Sequence, residues 1–165
     1  RSVRDFAEQS VDSDTIAAIM EETLMAPTWK NSETGRYYIA NTPEAIGRIA
    51  PALVAGNQKS STNAALVVTT FVHSVAGFTD GQPDNEAGNL WGAYDLGLQN
   101  AYFCLSARDH GLDTLIMGIR DEAQIRAALN IPEEETIMAV LALGYRNGEP
   151  VFRPRKAISE VAKFL

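Results

Sequence analysis

Residues 64–73 read Ala64-Ala65-Leu66-Val67-Val68-Thr69-Thr70-Phe71-Val72-His73, a run with no carboxylate, Lys or Arg and no Gly or Pro to break it. Apolar residues at consecutive positions, together with β-branched enrichment, predict a strand covered on both faces, the centre of a sheet. Upstream, Arg36-Tyr37-Tyr38-Ile39-Ala40 reads as a short aromatic strand. Before it, Ile16, Ile19, Met20, Thr23 and Leu24 recur at helical spacing behind Asp12 and Ser13, which predicts a helix over 13–25. Thr42-Pro43-Glu44 opens a second, short helix through Ile49. Downstream, Val75 to Asn89 is a polar connection long enough to form a lid. From Asn89 to His110, the residues Leu90, Tyr94, Leu98, Ala101, Tyr102 and Leu105 recur at helical spacing up to Gly111, predicting the longest helix with that face in the core. Thr114 to Gly118 and Thr136 to Tyr145 read as further strands, with a helix from Asp121 to Asn130 between them. The alternation of helices and strands gives an α/β mixture whose strand directions are not readable.

The 165 residues suit a single domain over 1–165. Hydrophobic residues are 45% and charged residues 21%, which excludes a disordered or fibrous chain. Fourteen Lys and Arg against 21 Asp and Glu give a net charge of -7, unfavourable toward nucleic acid and toward anionic membranes. The lone Cys104 has no disulfide partner within the chain, no apolar stretch approaches a membrane span, and no basic-then-apolar leader is present; the expectation is a cytoplasmic protein. The first residue is Arg1 rather than Met, so an upstream segment is expected to be missing.

Side-chain catalysis finds little support. The G-x-S-x-G, H-E-x-x-H and G-x-G-x-x-G patterns are absent, and Lys59-Ser60 lacks the glycines of a phosphate loop, with Leu53 and Gln58 in their places. Cys104 falls on the predicted apolar face of the long helix and reads as a small buried hydrophobe. His73 and His110 end a strand and a helix and read as structural. Asp80, Asp84 and Glu86 lack the alternation of a cation-binding loop. What does stand out is a pair of basic clusters at the two ends of an acidic chain. Arg1, Ser2 and Arg4 can donate to one phosphate, and Arg153-Pro154-Arg155-Lys156 repeats that chemistry.

Arg1-Ser2-Val3-Arg4-Asp5-Phe6, Ala26-Pro27-Thr28-Trp29-Lys30-Asn31-Ser32, Gly111-Leu112-Asp113-Thr114 through Gly118, Leu143-Gly144-Tyr145 and Arg153-Pro154-Arg155-Lys156 together resemble the FMN-dependent nitroreductase family. The order and spacing of the five segments run through nearly the whole chain. The resemblance implies an α+β fold, a mixed β-sheet flanked by helices, in a homodimer whose subunits swap terminal segments and share two FMN sites at the interface. It implies that Arg1, Ser2 and Arg4 hold the FMN phosphate and ribityl chain, completed by Arg155 with Arg153 and Lys156. Pro27, Thr28 and Trp29 would lie against the flavin or the partner subunit, and Asn31 would hydrogen-bond the ring edge. Met117 and Gly118 would offer backbone N–H groups to the flavin. No catalytic side chain and no metal are implied, because the cofactor carries the chemistry. The implied activity is ping-pong transfer from NADH or NADPH, through FMN, to a small nitroaromatic, quinone or flavin acceptor. The lid segment, with Tyr94 and Phe78, would shape the acceptor pocket.

Two departures from the family pattern bear on this reading. An additional Arg often precedes the first motif. Gln-Pro-Trp often follows Asn-Ser, where this chain has Glu33-Thr34-Gly35; Glu33 could accept from flavin N3–H, yet it would oppose the anionic reduced ring and lower its potential. The alternative is a flavin-binding storage, sensor or interaction protein with little turnover; a flavin-free interaction domain requires the basic clusters to be incidental. Ile158, Val161, Phe164 and Leu165 form an apolar tail face that needs a surface to dock on, which points to a homodimer.

Overall fold

The uncharged central run becomes strand β2 (Ala65–Val72), buried along all but its last residue. The computed structural model describes residues 1–165. It pairs β2 on one side with β1 (Gly35–Ala40) and on the other with β6 (Glu135–Gly144), whose outer neighbour is β5 (Asp113–Met117). The order β1-β2-β6-β5 leaves β1 and β5 as the two edges. All three ladders are antiparallel, and the register is Tyr38 opposite Val68, Val68 opposite Val140, and Leu115 opposite Ala142. The expected mixed sheet is therefore corrected: its four strands are antiparallel, and the parallel component is one bridge, Ser2 to Thr114. A β-bulge at Thr69/Thr70 displaces the β2–β6 register by one residue.

Alternation along β2 and β6 sends Leu66, Val68, Ile137, Val140 and Ala142 to one face, and Ala65, Val67, Ala139, Leu141 and Leu143 to the other. Helices α2 (Pro43–Ile49) and α5 (Glu122–Leu129) cover the first face; α1 (Ser13–Thr23) and α4 (Leu90–Asp109) cover the second. Their ends follow local chemistry. Asp12, Thr42 and Asp121 accept from the backbone N–H three residues on, at 2.8, 3.3 and 3.0 Å. Asn130 closes α5 in the left-handed conformation. A short helix α3 (Ala55–Ser60) and a small hairpin of β3 (Phe78–Thr79) and β4 (Gln82–Pro83) carry no readable sequence period. The last helix, α6 (Ile158–Val161), lies in an exposed tail. No helix is long and apolar enough to cross a membrane.

One expectation is reversed. The predicted core face of α4 points away from the sheet: Leu90, Tyr94, Tyr102 and Leu105 are exposed, Leu105 by 71%. The buried face is instead Gly92, Asp95, Leu96, Gln99, Asn100, Phe103, Ser106 and Ala107. Asp95 and Asn100 are met there by partners, whereas Gln99 Oε1 and Ser106 Oγ have none. Asn100 accepts from the Tyr37 hydroxyl at 3.2 Å and donates to Thr69 Oγ1 at 3.4 Å. A helical period identifies a stripe but not what the stripe faces.

The terminal segments divide as well. Val3 and Phe6 are buried in the chain's own core, Val3 N–H donates to the Thr114 carbonyl at 3.0 Å, and Ala7 N–H donates to Tyr145 at 2.8 Å. The N-terminal arm thus packs against β5 and the turn after β6 of the same chain. The C-terminal segment after Pro150 is exposed throughout.

Candidate functional site

The parallel bridge at Thr114 lays the N-terminal arm along the outer edge of β5, while the turn after β6 brings the chain back beside it through Asn147 N–H, which donates to the Asp5 carbonyl at 2.9 Å. A cleft of about 640 Å³ opens between the two, and Arg1, Ser2, Arg4, Arg153 and Arg155 all line it. Residues some 150 positions apart in sequence are thus one cationic site. Lys156, grouped with them on sequence, is outside the lining.

Asp5 and Glu149 also line the cleft, but both are engaged at its rim: Asp5 accepts from the Asn147 amide at 3.3 Å, and Glu149 pairs with Arg146 at 2.8 Å. None of Arg1, Arg4, Arg153 and Arg155 has a carboxylate within ion-pair distance. Arg1 rests over the Phe152 ring at 4.6 Å, and Arg155 donates to the Arg153 carbonyl at 2.9 Å. Four guanidinium groups against two carboxylates, none of the four ion-paired, give the cleft a positive balance in an acidic protein. Behind it, Thr114 Oγ1 donates to Cys104 Sγ at 3.2 Å, and burial pushes the Cys104 thiol above its ordinary pKa, which keeps it a protonated packing group.

Beyond Thr114 the edge of β5 is open. The Thr114 carbonyl faces outward to Val3, so alternation turns the backbone of Ile116 outward and that of Met117 inward to its partner Val140. Met117 is 2% exposed and belongs to the core. Gly118, the other residue expected from sequence, follows just past the end of the strand. Asn57 of α3 also arrives here, donating to the Ile119 carbonyl at 3.3 Å. Sequence reasoning passed it over because nothing periodic marks α3.

The other predicted residues lie elsewhere. Pro27, Thr28, Trp29, Asn31 and Glu33 belong to the loop entering β1, the opposite edge of the sheet from β5. Trp29 N–H donates to Asp95 Oδ2 of α4 at 2.8 Å, and its indole packs on Trp91 at 4.4 Å. Tyr94 meets Trp91 edge-on at 5.7 Å. Lys30 bonds Asp84 at 3.3 Å and Thr79 at 3.2 Å, tying the loop to the hairpin, and the Thr79 hydroxyl together with Lys30 holds Asp84 below the usual carboxylate range. Asn31 donates to Glu33 Oε1 at 2.8 Å, and Glu33 N–H donates to Thr28 Oγ1 at 3.2 Å. Within one chain the cationic cleft and this loop lie at opposite edges of the sheet. His73 and His110 reach only Ser74 and Glu22, and no group of His, Cys, Asp and Glu is arranged to hold a metal.

Comparisons with known proteins agree with this architecture. The model of the Nitroreductase family matches residues 1–79 and 69–145. A protein of Archaeoglobus fulgidus, named "Putative NADH dehydrogenase/NAD(P)H nitroreductase", is 23% identical over 156 residues, covering 92% of this chain and 84% of its own. A similarly named protein of Streptomyces coelicolor is 26% identical over 167 residues, covering 92% and 82%. Among solved structures, a nitroreductase family protein of Streptococcus pneumoniae superposes with a TM-score of 0.86 at 15% identity, over 99% of this chain and 95% of that one. A protein of Exiguobacterium sibiricum, solved in complex with FMN, gives 0.84 at 18% identity, over 99% and 92%. The structural likenesses establish a shared fold.

Proposed function

The chain belongs to the nitroreductase family, and from that premise we propose that it is an FMN-dependent NAD(P)H oxidoreductase working as a homodimer on nitroaromatic, quinone or flavin acceptors. The observation that carries this reading is the convergence of Arg1, Arg4, Arg153 and Arg155, none with a carboxylate partner, on one cleft beside the open edge of β5. That donor set suits a phosphate at one end of a ligand and a hydrogen-bonding ring at the other.

FMN, when bound, would supply the electron and hydride chemistry between a nicotinamide donor and the acceptor, in ping-pong order. The protein's own residues would do the rest. Arg1, Arg4 and Arg155, with Arg153 and the Ser2 hydroxyl, would neutralise and hold the phosphate. The N–H groups of Ile116, at the outer edge of β5, and of Gly118, just past its end, would meet the ring edge, and backbone donors need no particular side chain. Asn57 stands beside them. Pro27, Thr28, Trp29, Asn31 and Glu33 would reach the same ring from the second subunit, since in their own chain they lie on the far edge of the sheet. Tied to Glu33 through its amide hydrogens, Asn31 would present its carbonyl oxygen as an acceptor.

Dimerisation is supported by the outer face of α4 and by the tail. Leu90, Tyr94, Tyr102 and Leu105 form an apolar stripe without cover, and Val151, Phe152, Ile158, Val161 and Phe164 extend from the C-terminus equally bare. The test is an absorption spectrum of the purified protein between about 300 and 550 nm, release and identification of the flavin, and steady oxidation of NADH or NADPH with a nitro or quinone acceptor. Stoichiometric FMN with turnover supports the reading. FMN without turnover favours a flavin-binding storage or sensor protein, and a protein that takes up no FMN overturns both.

A further inference from the structure

Asp95 lies on the buried face of α4, 3% exposed, and accepts a hydrogen bond from the Trp29 backbone N–H, 66 positions away in sequence. Burying a carboxylate for a single neutral N–H is costly, and an apolar residue of similar size would pack more favourably there. Burial raises the Asp95 pKa, and the Trp29 N–H opposes that shift without cancelling it. The contact therefore does not earn its place through stability.

The loop it grips explains the arrangement. Lys30, Asn31 and Glu33 all have left-handed φ, at 47, 55 and 47°, none of them glycine. Such a backbone persists only when its surroundings hold it. Its entry is held by Asp95 and by the Trp29–Trp91 contact. Further along, Glu33 N–H donates to Thr28 Oγ1 at 3.2 Å and Lys30 is tied to Thr79 and Asp84. Asp95 is thus the one group of α4 that hydrogen-bonds the loop's backbone, at its entry.

We infer that Asp95 is a positioning residue: through the Trp29 N–H it sets the Pro27–Glu33 loop in the shape that presents Thr28 and Asn31 to the flavin of the neighbouring subunit. This rests on the flavin-binding reading above. Asp95→Leu keeps the branched shape, in a larger apolar side chain, and removes the acceptor; Asp95→Asn keeps the size and a carbonyl acceptor in the same place.

The experiment uses the full chain and two readouts. The first is the rate of tryptic cleavage between Lys30 and Asn31 in flavin-free protein, followed by mass spectrometry, with thermal unfolding as a check that each variant is folded. The second is the FMN dissociation constant by quenching of flavin fluorescence. In Asp95→Leu, cleavage is expected to accelerate and FMN to bind about tenfold more weakly or worse, as for loss of a charge-assisted hydrogen bond, with Asp95→Asn restoring most of both. Unchanged cleavage and affinity in Asp95→Leu would overturn the inference. So would faster cleavage with full FMN affinity, or an Asn variant as impaired as Leu. A wild-type protein that binds no FMN would instead overturn the functional reading, and the cleavage rates would still decide whether Asp95 sets the loop.

Discussion

At Gly35 the space beside the Cα is filled by the end of the buried Gln99 side chain, which an added Cβ would have to displace. Gly35→Ala is therefore expected to cost about 1–3 kcal/mol, read from the shift of the urea midpoint, and adding Gln99→Ala should recover part of that loss. Asp95 makes a pH prediction. Its pKa is raised on folding, so the folded state holds the proton longer than the unfolded chain does, and its contribution to stability declines as pH rises above the ordinary value of 3.8. Relative to Asp95→Asn, the wild type should lose stability as pH rises above the ordinary value of 3.8; urea unfolding of both proteins as a function of pH measures it. Tyr38 behaves similarly at the alkaline end, where burial and the Glu135 carboxylate, 2.9 Å from its hydroxyl, push its pKa up to about 12.

At the scale of elements, what could be read from sequence was whatever a few neighbouring residues decide. Asp12, Thr42 and Asp121 announce their helices because a cap is a three-residue interaction, and the uninterrupted apolarity of 65–72 announces a strand covered on both faces. The orientation of α4 was not legible, since Leu90, Tyr94 and Leu105 look the same in sequence whether they face a sheet or a second subunit. Nor was α3 legible, with no side-chain cap and six residues without an apolar stripe. The exposed stripe of α4 yields its own prediction. Leu105→Glu leaves the fold of one chain undisturbed, because the residue is already on the surface. A carboxylate buried at an apolar interface would nonetheless weaken association by about 100-fold or more. Sedimentation should show the mass fall to that of a monomer while far-UV circular dichroism is unchanged.

Across the whole molecule, the two basic clusters and the chemistry they share were visible in sequence, and the family resemblance implied that they meet on one phosphate; what the residues alone do not show is the route, the Ser2–Thr114 bridge and the return of the chain after β6. Arg4→Ala should weaken FMN binding by about 10- to 100-fold and leave riboflavin, which has no phosphate, nearly unaffected. Isothermal titration of both ligands at low and high salt would show the difference, with the FMN arm falling as ionic strength rises. The placement of the cleft at one sheet edge and the loop at the other has a genetic consequence. Mixed dimers of a cleft mutant, Arg4→Ala, and a loop mutant, Asn31→Ala, gather both lesions in one site and leave the other site wholly wild type. Co-expressing two inactive alleles should therefore restore about a quarter of the sites, interallelic complementation that a site built within a single chain could never display.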